Sequence, residues 1–262
     1  MTFFHALLLG IIQGITEFFP VSSSGHLELA QILLGLPNLK NYIPFNLVCH
    51  LGTLLAVIIV FRKDLLNIVF VKQERTKLWL LLVALSPLLP LYPLLGTIKE
   101  AANHPEYLGY FFITTALILF LGEKASKWLQ RPEALKNSKS YRDALCIGIF
   151  QAFALIPGIS RSGLTISGAR IMGWNLKDAV RFSFLLAIPT ICGGALVEMK
   201  SLISDPNVGV GLEAPHYIIG FVTSFAVGFL TLNFLLRFIK KGTLLPFAWY
   251  CLLLGVSVTL FL

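Results

Sequence analysis

Apolar runs of spanning length, about 17–25 residues, occur at 45–61, 78–96, 107–122, 179–197, 217–238 and 244–262. They predict six transmembrane helices. Two further apolar stretches, 3–36 and 144–174, are broken in the middle by Pro-Val-Ser-Ser-Ser-Gly at 20–25 and Pro-Gly-Ile-Ser-Arg-Ser-Gly at 157–163. Each half is about 14 residues, or about 21 Å of helix, too short for a hydrocarbon core about 30 Å thick. Both stretches are therefore expected to be re-entrant hairpins that enter and leave on one side. The expected fold is an all-α polytopic membrane protein, with six transmembrane helices and two re-entrant helical hairpins in a single membrane domain spanning residues 1–262.

Composition agrees. Of 262 residues, 56% are hydrophobic and 13% charged, with a mean hydropathy of +0.80. Too little polar surface remains to coat a water-soluble globule. This excludes a disordered chain, a disulfide scaffold and a soluble nucleic-acid binder. Cys49, Cys146, Cys192 and Cys251 all lie in apolar runs without metal or redox spacing and are expected to be small buried side chains. Gln13 and Glu17, and the lack of a basic leader, argue against a cleaved signal peptide.

The net charge of +8 would suggest an anionic partner in a soluble protein. Here the positions of the basic residues supply another account. With six spans and two hairpins, one face receives Arg62, Lys63, Lys72, Arg75 and Lys77, then Lys124, Lys127, Arg131, Lys136, Lys139 and Arg142. It also receives Lys177, Arg181, Arg237, Lys240 and Lys241, whereas Lys40, Lys99 and Lys200 fall on the other. Cytoplasmic loops retain Lys and Arg, so both termini are expected outside, without any nucleic-acid partner.

Sliding the chain against itself by 138 positions aligns Gly10, Ile11, Gln13, Ser22, Ser24, Gly25 and Gly35 with Gly148, Ile149, Gln151, Ser160, Ser162, Gly163 and Gly173. Three spans separate the two broken stretches, an odd number, so the copies enter from opposite faces. This is the pattern of inverted-repeat transporters, with residues 1–123 and 142–262 as the two repeats and the hairpin tips meeting near the midplane.

Charges inside lipid are expensive and usually functional, which directs attention to the tips. The first supplies Gln13, Glu17, Ser22, Ser23, Ser24, Gly25 and His26; the second supplies Ser160, Arg161, Ser162, Gly163 and Thr165. Glycines beside helix N-termini offer backbone N–H groups to an anion, and Arg161 offers a fork for phosphate oxygens. Glu17 can act as general base or hold a divalent cation, His26 can protonate a leaving group, and a serine hydroxyl can be the nucleophile. The chemistry suggested is phosphoryl transfer. Structural readings stand beside it: Ser22 and Ser160 as N-caps, Glu17 with Arg161 as a bridge, His26 as an inert histidine, and Gln151 as packing glue. His5, His50, His104 and His216 are set aside as incidental, and Glu28 and Arg170 are left unassigned.

At these residues the sequence resembles the bacterial undecaprenyl pyrophosphate phosphatase family, associated with bacitracin resistance. Gln13-Gly-Ile-Thr-Glu17-Phe-Phe-Pro-Val-Ser-Ser-Ser-Gly-His26 fits its E/Q-x-x-x-E box and serine-rich loop, and Pro157-Gly-Ile-Ser-Arg-Ser-Gly-Leu-Thr165 fits its second box. The resemblance implies hydrolysis of a C55 polyprenyl diphosphate to the monophosphate, recycling the lipid carrier of cell-wall precursors. It also implies dependence on a divalent cation, Mg2+ or Ca2+, with Glu17 as its ligand. Glu17, Ser23, His26 and Arg161 match residues that the family uses, and either Ser23 or a water would attack the terminal phosphorus. Gln13 removes a charge from the first box, which weakens the case for a site built from two carboxylates. The expected setting is a cell membrane with the active site opening to the outer face; the association state, a homodimer included, is left open. A transporter or flippase for polyprenyl phosphate is the alternative. Type-2 phosphatidic acid phosphatases also use Ser-Gly-His, but their later box wants His where this chain has Ser167.

Overall fold

A computed structural model describes residues 1–36, 39–102, 104–128, 139–204, 212–239 and 242–262. Arg131, Lys136, Lys240 and Lys241 of the charge count lie outside the described residues. Among those described, the regular structure is helical throughout.

The first broken stretch forms α1 (Phe3–Thr16) and α2 (Ser23–Leu33). After them come α3 (Ile43–Val60), α4 (Arg62–Phe70), α5 (Arg75–Leu85), α6 (Leu95–Ala102) and α7 (Leu108–Trp128). The second stretch forms α8 (Tyr141–Phe153) and α9 (Arg161–Ile171), followed by α10 (Leu176–Ser204), α11 (Ala214–Phe238) and α12 (Leu245–Phe261). Among the described residues, four helices are long and apolar enough to cross a membrane: Ile43–Val60, Pro105–Ala125, Leu176–Lys200 and Ala214–Phe238.

The run at 78–96 departs from a straight span. Its helix gives way to short 3-10 turns and resumes after a 46° bend. Pro87, Pro90 and Pro93, three apart, each remove an N–H donor that a continuous helix would need. Counted as one crossing, this bent pair makes five. The run at 244–262 forms a helix of 17 residues.

Both stretches break as their sequences suggest. At each, a serine caps the second helix: Ser22 Oγ accepts from the Gly25 amide at 3.2 Å, and Ser160 Oγ accepts from the Gly163 amide at 3.0 Å. The halves contain 14 and 11 residues in one stretch and 13 and 11 in the other.

Glycines matched by the 138-residue offset let the first helix of each stretch lie close to a neighbour. A Cβ on Gly10 of α1 would meet Thr223 Cβ of α11 at 3.0 Å, and one on Gly148 of α8 would meet Ala84 Cα of α5 at 3.0 Å. Small residues at such crossings are what close packing in lipid requires. Thus α1 packs on α11, α8 on α5, α7 on α12, and α9 lies among α7, α8 and α10.

Polar contacts gather the basic segments at one end of this bundle. Arg181 pairs with Asp64, Lys139 lies 3.1 Å from Asp178, and the Leu244 amide donates to Glu123 at 3.2 Å. The cysteines are free, as expected, but only Cys49 and Cys251 are buried. Cys146 is half-buried and Cys192 exposed, because a thiol on an outward face meets lipid without penalty.

Candidate functional site

The two tips touch. Glu17, immediately after α1, is 4% exposed at its side chain, and Arg161 Nη2 donates to its Oε1 at 2.5 Å. Its other oxygen, Oε2, accepts from Ser23 Oγ at 2.6 Å and from Gln13 Nε2 at 3.0 Å. Ser23 is the first residue of α2 and Arg161 the first residue of α9, so one buried carboxylate is held by the leading residues of both half-helices. Ser24 Oγ accepts from the Gly158 amide at 3.3 Å, and Ser162 Oγ donates to the Phe19 carbonyl at 3.4 Å, locking the tips together.

Around this contact lies a cavity of about 200 Å3, walled by Glu17, Ser22, Ser23 and Ser24 from one tip and Ser160, Arg161 and Ser162 from the other. Drug-sized ligands occupy roughly 300–1,000 Å3, so this space suits a head group rather than a long chain. Arg161 Nη1 is buried without a hydrogen-bond partner. A guanidinium with one nitrogen on Glu17 and another unsatisfied is prepared for an incoming anion. The Ser23–Glu17 distance falls in the range expected of a nucleophile and its base.

Other expected residues are placed differently. Ser22 and Ser160 carry out the capping role while lining the cavity. Gly25 and Gly163 supply the capped amides. Thr165 turns away, its hydroxyl 2.7 Å from Ser183 Oγ on α10. Gln151 accepts from Thr190 at 3.2 Å, consistent with packing. Arg170 donates to the Trp174 carbonyl at 3.3 Å.

His26 was expected to donate a proton in the cavity, and its ring is not among the lining residues. Nδ1 lies 2.6 Å from the Ser22 carbonyl and Nε2 2.7 Å from Tyr250 Oη, which turns the ring toward α12. The imidazole in the cavity belongs instead to His50 of α3, whose Nε2 is 3.6 Å from Glu17 Oε2 and whose Nδ1 is 2.7 Å from the Asn46 carbonyl. Of the four histidines set aside, His5 and His216 complete N-terminal capping boxes and His104 sits beside Glu106. His216 sits in the first turn of its spanning helix, whereas His50 alone among them lies beyond the first turn of one, the signal that distinguishes it.

Ser22 has φ 74° and ψ 92°, the only positive φ outside glycine among the described residues. Such a conformation costs on the order of 1–3 kcal/mol and persists where surroundings enforce it.

A divalent cation fits only as one shared with substrate. Among the described residues no group of three His, Cys, Asp or Glu side chains is placed to hold a metal. Gln13 Oε1, however, is buried without a partner on the amide that contacts Glu17. A neutral oxygen and one carboxylate together resemble the sparse protein contribution to Mg2+ sites completed by phosphates.

Fold and site define a multi-pass α-helical membrane protein with a polar cavity where two broken helical stretches meet. The chain belongs to the bacitracin resistance protein BacA family, whose sequence model matches residues 6–257. It is 42% identical over 262 residues to an undecaprenyl-diphosphatase of Protochlamydia amoebophila, covering 100% of this chain and 99% of that protein. Proteins of the same name from Carboxydothermus hydrogenoformans and Halothermothrix orenii are 38% and 36% identical, each covering 98% of this chain and 97% of their own length.

Proposed function

We propose that this chain hydrolyses undecaprenyl diphosphate to undecaprenyl phosphate and inorganic phosphate, recycling the cell-wall lipid carrier and conferring bacitracin resistance. The observation that carries the reading is the Ser23 hydroxyl 2.6 Å from a carboxylate whose other oxygen holds Arg161. A flippase, the rival reading, has no need of an activated hydroxyl, and the names of full-length relatives agree with hydrolysis.

The diphosphate head group enters the cavity while the prenyl chain stays in lipid. Arg161 Nη1 and the amides at the starts of α2 and α9 take the phosphate oxygens. As the substrate engages the guanidinium, Glu17 is relieved of part of its ion pair and becomes a stronger base. It accepts the Ser23 proton, Ser23 Oγ bonds to the terminal phosphorus, and the bond from that phosphorus to the bridging oxygen breaks. Glu17 passes that proton to the departing polyprenyl phosphate; ionised again, it takes a proton from the water that attacks the phosphoserine and returns it to Ser23 Oγ as inorganic phosphate leaves. Mg2+ or Ca2+ would be held by Glu17, the Gln13 amide oxygen and the diphosphate itself, supplying charge neutralisation when bound. Positioning and charge neutralisation dominate such transfers.

The reading includes six crossings, counting the bent pair and α12, with re-entrant hairpins in inverted repeats over 1–123 and 142–262. Exchange packing, α1 on α11 and α8 on α5, supports the repeat. Collection of basic segments at one end supports a cytoplasmic assignment for that end, with both termini outside and the cavity opening outward. Every residue used comes from one chain, so a homodimer is compatible but not required.

The test is phosphate release from polyprenyl diphosphate in detergent, with mass mapping of a briefly exposed sample. A phosphoserine at Ser23 is expected. Absence of released phosphate would reject hydrolysis, since a carrier working across a bilayer liberates none.

A further inference from the structure

Tyr250 takes no part in the reaction above, yet its hydroxyl lies 2.7 Å from His26 Nε2 and the two rings are nearly parallel, 9° apart with centroids at 5.6 Å. Phe112 meets the same imidazole edge-on at 5.0 Å. On the far side, His26 Nδ1 is 2.6 Å from the Ser22 carbonyl oxygen. A carbonyl only accepts, so Nδ1 carries the proton; the neutral ring then presents a lone pair at Nε2, and Tyr250 donates to it.

That carbonyl belongs to the strained residue. Ser22 holds φ 74° and ψ 92°, and its oxygen accepts a second bond from the His26 amide at 3.1 Å. Ser22 is also the hinge before Ser23. Relaxing its torsions would swing the start of α2 and carry the Ser23 hydroxyl off Glu17. Next to Tyr250, Cys251 is buried with its sulfur 4.0 Å from the Pro20 carbonyl, so α12 is seated against this tip.

We propose that Tyr250 is a positioning residue: through His26 it clamps Ser22 in its strained conformation and so presents Ser23 to Glu17 and the diphosphate. The inference rests on the phosphatase reading of the same site. It gives His26 a task other than proton donation, since the nitrogen not bound to Ser22 carries no proton and accepts the Tyr250 hydrogen bond.

The experiment combines nitrogen-15 histidine spectra of the full-length protein in detergent with kinetics of Tyr250→Phe, His26→Asn and His26→Gln. The wild-type His26 signal should show Nδ1 protonated and Nε2 unprotonated, and Tyr250→Phe should mix the tautomers. Loss of that one hydrogen bond should lower kcat about threefold to tenfold with KM little changed. An Asn amide occupies the place of Nδ1 and a Gln amide that of Nε2, so His26→Asn keeps the bond to Ser22 and should outpace His26→Gln by about tenfold. Equal rates for the two His26 variants, or a wild-type spectrum with Nε2 protonated, would overturn the proposal. The spectrum needs no turnover: wild-type protein that releases no phosphate removes the phosphatase reading, while the tautomer still decides whether the clamp exists.

Discussion

Arg161→Lys isolates the part of the site that distinguishes a phosphate receptor from a buried ion pair. Arg161 holds Glu17 through Nη2 at 2.5 Å and keeps Nη1 buried and unpartnered, with the side chain 18% exposed and that of Glu17 4%. Truncation to Ala would strand the carboxylate and cost about 3–5 kcal/mol of stability, confusing lost chemistry with lost fold. Lysine keeps the charge beside Glu17 but has one ammonium in place of a planar fork, so it cannot hold the carboxylate and the incoming phosphate in the same geometry. The expected loss is one charge-assisted hydrogen bond, about 1.5–3 kcal/mol, or a fall of roughly 10–150-fold in kcat/KM. The assay is initial-rate phosphate release from polyprenyl diphosphate, run beside thermal unfolding to show that the variant is folded. A lysine variant within about threefold of wild type, or one that loses activity only in proportion to folded protein, would refute the receptor role of the second guanidinium nitrogen.

Two other expectations follow from the same geometry. His50→Ala should lower kcat/KM by about tenfold through loss of the imidazole that lines the cavity beside Glu17, whereas His5→Ala, at a helix cap, should turn over as wild type does; matching rates for the two would return His50 to the incidental group. Chelation of divalent cations should stop turnover while leaving Tm unchanged in the absence of substrate, because no group of three ligating side chains is present among the described residues. A fall in Tm on chelation would instead reveal a cation held by the protein alone.

The breaks and the meeting of Glu17 with Arg161 were legible because their signals are local. Pro20 and Pro157 stand before serines that cap the next helix, and Glu17 and Arg161 are charges in apolar surroundings, where each needs the other. The bend in the run at 78–96 was visible as three prolines but disappeared into a count of apolar length. His50 and Tyr250 were hidden for a different reason. In water a helix reveals its inner face by periodicity; in lipid both faces are apolar, so neither the inward turn of His50 nor the outward exposure of Cys192 leaves a mark in the hydrophobic pattern.

What marks the interior of such a protein is therefore its small and polar residues, and the 138-residue offset shows how these divide. Identities at the offset do the same structural work twice: Gly10 and Gly148 admit a neighbouring helix, while Ser22 with Gly25 and Ser160 with Gly163 cap a half-helix. Positions that differ hold the charged and ionisable side chains of the tips. Glu17 aligns with Leu155, His26 with Leu164, and Ser23 with Arg161. The last pair are both first residues of their half-helices and reach Glu17 from opposite sides, at 2.6 Å and 2.5 Å. Two similar scaffolds thus point toward one carboxylate, and on the proposed reading the exchange of a hydroxyl for a guanidinium at a single matched position would supply a nucleophile on one side and an anion receptor on the other.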